Sequence, residues 1–201
     1  MKKSVAVLLA NGFEEAEAVI FIDIMRRLEI HVDIISCEQT TALASYFQTP
    51  ISADVLLADA ASKTYDAVMM PGGPKGTDSL SANPQVVEFL KRHIKAGKYI
   101  CALCSSGAKV LAAHHLLEGR TYSTGDKLAD KYQDGIYLDQ DVVVDGQFIT
   151  AKGLGVSFEF SFTVAHYLLN DNPQTVDHQA NHIYFKHWPQ AKQVIPCQEK
   201  H

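Results

Sequence analysis

The sequence predicts a single α/β domain, a doubly wound sandwich in which helices flank a mostly parallel sheet, and three observations carry that expectation. First, unbroken apolar runs such as Val5 to Ala10 and Ala67 to Met70 stop abruptly at Asn11-Gly12 and at Pro71-Gly72-Gly73-Pro74. Short apolar runs bounded by turn residues mark strands buried on both faces, as happens when helices cover both sides of a parallel sheet. Second, these runs alternate with stretches whose apolar residues recur at helical spacing. Third, 201 residues are ample for one well-packed core and marginal for two, so residues 1–201 read as one domain.

The elements follow in order. Val5 to Ala10 is the first strand. Lys2-Lys3 ahead of it imitates a signal peptide, but the apolar stretch is short and runs straight into Glu14-Glu15 without a cleavage site. From Glu14 to Leu28 the residues Ala18, Val19, Ile22, Met25 and Leu28 recur at helical spacing. Acidic residues open that helix and Arg26-Arg27 close it, as its dipole favours. His31 to Ser36 is β-branched and completes a strand–helix–strand crossover. Gln39 to Asp59 holds Pro50 and short alternating pieces, and reads as a small excursion or hairpin. Tyr65 to Met70 is a buried strand. Pro84 to Ala96 is a helix with proline in its first turn and Gly97 as its stop. Tyr99 to Leu103 is a strand and Gly107 to Leu117 a helix. Apolar runs on both sides of Asp145-Gly146 predict a hairpin. Ser157 to Leu169 is a long helix opened by a serine, and one more helix is expected beyond Pro173. The sum is a sandwich of the flavodoxin type.

Composition narrows the function. The formal net charge is −5 and no basic face is implied, so nucleic acid and anionic membranes are not expected partners. No apolar stretch is long enough to span a bilayer. The four cysteines Cys37, Cys101, Cys104 and Cys197 fit no common disulfide scaffold, so reduced thiols and a cytoplasmic location are expected.

Three segments could carry chemistry. In Tyr99-Ile100-Cys101-Ala102-Leu103-Cys104-Ser105-Ser106-Gly107-Ala108 a buried strand ends at Cys104, small residues follow, and a helix begins. That is the pattern of a nucleophile elbow. A helix N-terminus there is expected to lower the thiol pKa and favour the reactive thiolate. The local pattern equally fits a cysteine that is simply a small buried hydrophobe. In Pro71-Gly72-Gly73-Pro74, glycines at a strand end let backbone N–H groups approach an anion or oxyanion, or else form a plain loop. In Glu14-Glu15-Ala16-Glu17, a carboxyl could point into the crevice at the strand ends, where desolvation keeps it protonated and able to donate to a thiolate. First-turn carboxylates are also common for dipole reasons alone.

All three segments lie just past a strand's carboxyl end, and together they resemble a known family. Ala10 to Glu17, Asp23-x-Met25-Arg26-Arg27, Asp66 to Gly73, the Cys104 elbow, and Lys152-Gly153-Leu154-Gly155-Val156-Ser157-Phe158-Glu159-Phe160 resemble the ThiJ/PfpI superfamily. The similarity is to its ThiJ-type branch, which includes the parkinsonism-associated deglycase, and runs from about residue 4 to residue 170. The resemblance implies that Cys104 is the reactive, oxidisable residue and that Glu17 is the carboxyl bonded to its sulfur. It further implies that backbone N–H groups at Gly73 and Ser105 line the anion pocket, and that the protein is a homodimer. The implied activities are glyoxalase or deglycase action on a small reactive carbonyl, chaperone behaviour, and peroxide sensing through sulfinic acid. No cofactor or metal is implied.

The sequence also departs from that family. Peptidase relatives carry histidine directly after the cysteine, where Ser105 stands. ThiJ-type glyoxalases carry a histidine about twenty residues further on, where Thr124 stands, leaving Thr124 and Asp126 as possible pocket residues and no imidazole for proton transfer. His114 and His115 fall toward the far end of the intervening helix, and Ala53 falls where a basic pocket residue is common. A thioredoxin-like Cys101–Cys104 pair is disfavoured because Cys101 lies inside the strand. His178, His182 and His187 read as a polar helix face rather than a metal site. A glutamine amidotransferase-like triad needs a His-x-Glu in the last third of the chain, and there is none. The expected function is therefore a cysteine-dependent stress protein acting on small carbonyls. The alternatives are a sensor or chaperone switched by Cys104 oxidation and, behind it, an amidotransferase-like or peptidase-like hydrolase.

Overall fold

In the computed structural model, which describes residues 2–188, one seven-stranded sheet forms the frame. The chain runs β1 (Ser4–Leu9), α1 (Glu15–Arg27), β2 (His31–Ser36), β3 (Ala42–Ala44), β4 (Pro50–Ser52), β5 (Val55–Leu56) and α2 (Leu57–Ala60). It continues with β6 (Ala67–Met70), α3 (Pro74–Ala82), α4 (Pro84–Lys95) and β7 (Tyr99–Leu103). After β8 (Thr121–Tyr122) and β9 (Ile136–Tyr137) come β10 (Val142–Asp145), β11 (Phe148–Ala151), α5 (Ser157–Leu168) and α6 (Pro173–His182). The sheet order is β10-β11-β7-β6-β1-β2-β5. Every neighbouring pair is parallel except β10 with β11, which pair antiparallel across Asp145-Gly146. This is the flavodoxin-like sandwich the sequence predicts.

The pleat sorts the core into two layers. Val5, Val7 and Leu9 of β1 face Phe21, Ile24 and Met25 of α1 and Phe160 of α5. Ala6, Leu8 and Ala10 face the opposite layer, with Val86, Phe89 and Leu90 of α4. Both faces of β1 are thus dry, which explains a run with no polar alternation. Each of the larger side chains among these gains about 1.5–3 kcal/mol from full burial.

The structure differs from expectation in three places. The helix α3 covers residues for which the sequence predicts no element, because Gly76, Thr77, Asp78 and Ser79 are weak helix formers. Its fit comes from contact: a Cβ on Gly76 would lie 2.8 Å from the Phe13 backbone, and Leu80 is buried. The helix after β7 is a π-wound turn, Gly107–Leu111, followed by a 3-10 turn, Ala112–His114. It stops at His115, whose φ of 54° is left-handed, and not at Leu117. As expected, α5 opens at Ser157, whose hydroxyl donates to the Leu154 carbonyl. Gln39 to Asp59 contains the hairpin β3–β4, but its last part, β5, joins the edge of the main sheet. No described helix is long and apolar enough to cross a membrane.

Candidate active site

The strands β1, β6, β7 and β11 end side by side, and the segments that follow them converge on Cys104. Its φ of 59° places a non-glycine residue in the left-handed region, at a cost of about 1–2 kcal/mol. The surroundings fix it there. Its N–H donates to Ala151 O at 2.9 Å, and its carbonyl accepts from Gly125 N–H at 3.1 Å and Thr124 Oγ1 at 2.7 Å. Next along the chain, Ser106 Oγ donates to Pro71 O at 2.5 Å, tying the elbow to the loop after β6.

Three glycines make room for the sulfur. A Cβ on Gly72 would lie 2.6 Å from Cys104 Cβ and 2.9 Å from both Cys104 Sγ and Glu17 Oε2. A Cβ on Gly125 would stand 3.2 Å from Sγ, and one on Gly153 3.5 Å from it. Any side chain at Gly72 would collide with the thiol. Gly73 is glycine for a different reason: its φ is 98°, and a Cβ there would run into the Gly12–Glu14 backbone, 2.7 Å from Glu14 N.

Glu17 enters from α1 and is 1% exposed. Gly72 N–H donates to its Oε2 at 2.6 Å, it hydrogen-bonds the Cys104 side chain, and Oε1 is buried with no further protein partner. Burial pushes its pKa up to about 7, against the Gly72 N–H and with help from the Glu14 charge. Burial also pushes the Cys104 thiol up to about 12, with the Glu17 charge next in importance and the Ser105 N–H opposing. The lowering expected from a helix terminus is outweighed, since only a short π-turn follows and the sulfur is largely desolvated. The two groups face each other and titrate as a pair. Their hydrogen bond is one the thiol donates to the Glu17 carboxylate, holding the thiol up and the carboxyl down, and the Glu17 charge further disfavours thiolate.

The other expected residues fall as follows. Gly72 cannot serve as an oxyanion donor, because Glu17 takes its N–H. Gly73 stands at the start of α3, and the Ser105 hydroxyl lies 3.1 Å from Thr77 Oγ1. Thr124 is 1% exposed; its hydroxyl donates to Cys104 O and accepts from Ala108 N–H at 3.2 Å, so it is a scaffold clamp. It also borders a cavity of about 450 Å³ with Lys127, Tyr137 and Lys152. Asp126 begins the 3-10 turn Asp126–Lys131, and its side chain lies outside the described residues, as does Cys197. Glu15 turns to the hairpin loop, accepting from Phe47 N and Thr49 Oγ1. His114 is bonded to Ser81. Cys37 and Cys101 are free thiols, and burial raises both pKa values. Among the described residues no group of His, Cys, Asp and Glu could hold a metal. Sequence reasoning missed Thr77, Gly125 and Gly153 as neighbours of this site; only Gly153, within the quoted glycine-rich motif, carried a signal.

Comparison with known proteins places this geometry. Residues 3–166 match the model of the DJ-1/PfpI family. Protein DJ-1 homolog B of Arabidopsis thaliana is 31% identical over 160 residues, a match spanning 80% of this chain and only 36% of that longer protein. The glutathione-independent glyoxalase DJR-1.2 of Caenorhabditis elegans is 33% identical over 171 residues, covering 83% of this chain and 89% of the nematode protein. A solved structure of a DJ-1 superfamily protein from Salmonella typhimurium, a cysteine-to-alanine mutant, superposes with a TM-score of 0.89 at 47% identity, covering 90% of this chain and 98% of that one. With the fold, the strained cysteine and the buried glutamate lying within the matched span, this chain belongs to the DJ-1/PfpI family.

Proposed function

We propose that this chain is a cytoplasmic, cysteine-dependent stress-response protein that acts on small reactive carbonyls, with Cys104 as nucleophile and Glu17 as its proton carrier. The observation that carries the reading is the buried Glu17 carboxyl against a left-handed Cys104, with one carboxyl oxygen unpartnered. An α-oxoaldehyde such as methylglyoxal is a small electrophile of the kind a cysteine nucleophile attacks. In the first step the Cys104 thiol passes its proton to the Glu17 carboxylate as its sulfur adds to the aldehyde carbon, forming a C–S bond. The carbonyl π pair becomes an alkoxide facing Gly73 and Ser105 N–H, and the Glu17 proton converts it to the hemithioacetal. Glu17 is left as a carboxylate able to take back a proton in the next step. The named glyoxalase activity of the nematode relative supports this reading.

A second reading is a sensor or chaperone switched by oxidation of Cys104 to sulfinic acid. The observation that favours it is the hydroxyl at both positions where relatives carry histidine, Ser105 and Thr124, which leaves Glu17 as the one acid–base group bonded to the thiol. In either case a homodimer is proposed. The exposed Val19, Phe47, Leu154 and Phe158 support it, as apolar surface a second copy would cover.

The test is methylglyoxal consumption with lactate detection, for the wild type and Cys104→Ala. Turnover by the wild type alone supports the enzyme. No turnover by either removes the carbonyl reading, and intact-mass analysis after mild peroxide then decides the sensor reading: two oxygens added at Cys104 support it, and oxidation elsewhere with Cys104 untouched ends it.

A further inference from the structure

Thr77 lies in the first turns of α3, is fully buried, and touches the elbow at Ser105. Its hydroxyl is within 2.9 Å of Gly73 O and 3.2 Å of Pro74 O, and within 3.1 Å of Ser105 Oγ. Two of these partners are carbonyls, which can only accept. A threonine hydroxyl carries a single hydrogen, so Thr77 donates to the Gly73 carbonyl and must accept from Ser105. Proton counting therefore gives a one-way chain: Ser105 hydroxyl to Thr77 hydroxyl to Gly73 carbonyl. Each link polarises the next.

The chain has a place in the pocket. Gly73 and Ser105 are the residues whose N–H groups face an anion at Cys104 in the proposed function. The peptide ahead of Gly73 is held by Glu14 N–H donating to Gly72 O at 2.9 Å. On the other side, Gly73 O takes both the N–H of Thr77, at 2.9 Å, and its hydroxyl. Gly73 sits at a φ of 98°, where glycine rotates at little cost, so its position needs such anchors. Two further ties join the same loops, Ser106 Oγ to Pro71 O and Lys109 Nζ to Pro74 O. Among the described residues, the Thr77–Ser105 bond alone ties the Ser105 side chain to the turn that holds the Gly73 carbonyl.

We propose that Thr77 is a positioning residue for the Cys104 site: through Ser105 and the Gly73 carbonyl it sets the separation of the two backbone donors that receive an anion. This rests on the proposed role of those donors, and it does not require that the anion come from a carbonyl substrate. It also means that Ser105 has no hydrogen to give a substrate, so the hydroxyl after the nucleophile belongs to the scaffold.

The probe is alkylation of Cys104 by iodoacetate, an anion, against iodoacetamide, its neutral analogue, followed by peptide mass so that other cysteines do not contribute. Thr77→Val keeps the shape and removes the hydroxyl. Its iodoacetate-to-iodoacetamide rate ratio should fall about three- to tenfold, the worth of one positioned hydrogen bond, and Thr77→Ser should restore it. Ser105→Ala, which keeps the backbone N–H, should give the same fall, and the double variant no more than either single. An unchanged ratio in both Thr77→Val and Ser105→Ala, a serine variant that fails to restore it, or additive effects in the double variant would each overturn the proposal. Should Thr77→Val not fold, Ser105→Ala decides alone. The ratio needs no turnover: a wild type that leaves methylglyoxal untouched refutes the carbonyl reading and leaves this test standing.

Discussion

Replacing Glu17 by glutamine keeps the side chain's shape and removes its charge. The amide oxygen can still accept from Gly72 N–H, and the NH₂ group can face the sulfur. In the folded protein burial raises the carboxyl from 4.5 to about 7. Between those values the native state binds a proton that the unfolded chain has released. That contribution to stability is complete below 4.5 and is lost as pH rises through about 7. Converted at about 1.4 kcal/mol per tenfold change in proton affinity, it amounts to roughly 3 kcal/mol. Glutamine has no proton to lose. The variant and the wild type should therefore be nearly equally stable at about pH 5, and at about pH 8.5 the variant should be the more stable by roughly 2–3 kcal/mol. Cys104 is raised toward 12 and titrates above this window. The buried His93 is lowered and gives a slope of opposite sign at acid pH, but it is common to both proteins and cancels in the difference. Urea denaturation of both proteins at the two pH values measures it. A difference that does not change with pH refutes the argument, because it would mean that Glu17 is ionised at both ends of the range.

Two further outcomes are expected. Gly72→Ala places a Cβ 2.6 Å from Cys104 Cβ; overpacking should cost about 1–3 kcal/mol by thermal denaturation, and thiol reactivity should drop with it. Thr124→Val removes the donor to Cys104 O and the acceptor for Ala108 N–H; a loss of about 1–3 kcal/mol is expected in the same assay, and retention of full stability would show that the clamp is not holding the elbow.

Much of this was legible in the residues. The apolar runs of β1, β6 and β7 gave the buried strands, because a strand dry on both faces leaves no room for polar alternation. Asp145-Gly146 gave the hairpin, because few dipeptides adopt its turn. Cys104 and Glu17 were visible as types in a pattern, but their pairing rested on resemblance. What remained hidden depends on contacts between distant segments. Gly76, Thr77 and Asp78 are weak helix formers; α3 is held by contact, with Gly76 fitted against Phe13 and Thr77 and Leu80 buried. The bond between Thr77 and Ser105 spans 28 residues and leaves no local trace. The thiol pKa was misjudged because local sequence reports the following helix and not the depth of burial.

The three glycines around Cys104 come from three separate stretches of chain, after β6, β8 and β11. The seclusion of that sulfur is therefore acquired only when all three have docked. A partly folded chain that has formed β7 but not its neighbours offers an ordinary, open cysteine to any electrophile. Pulsed labelling of this one atom during refolding should thus time the docking of these three segments, and its moment of greatest chemical vulnerability falls before they meet.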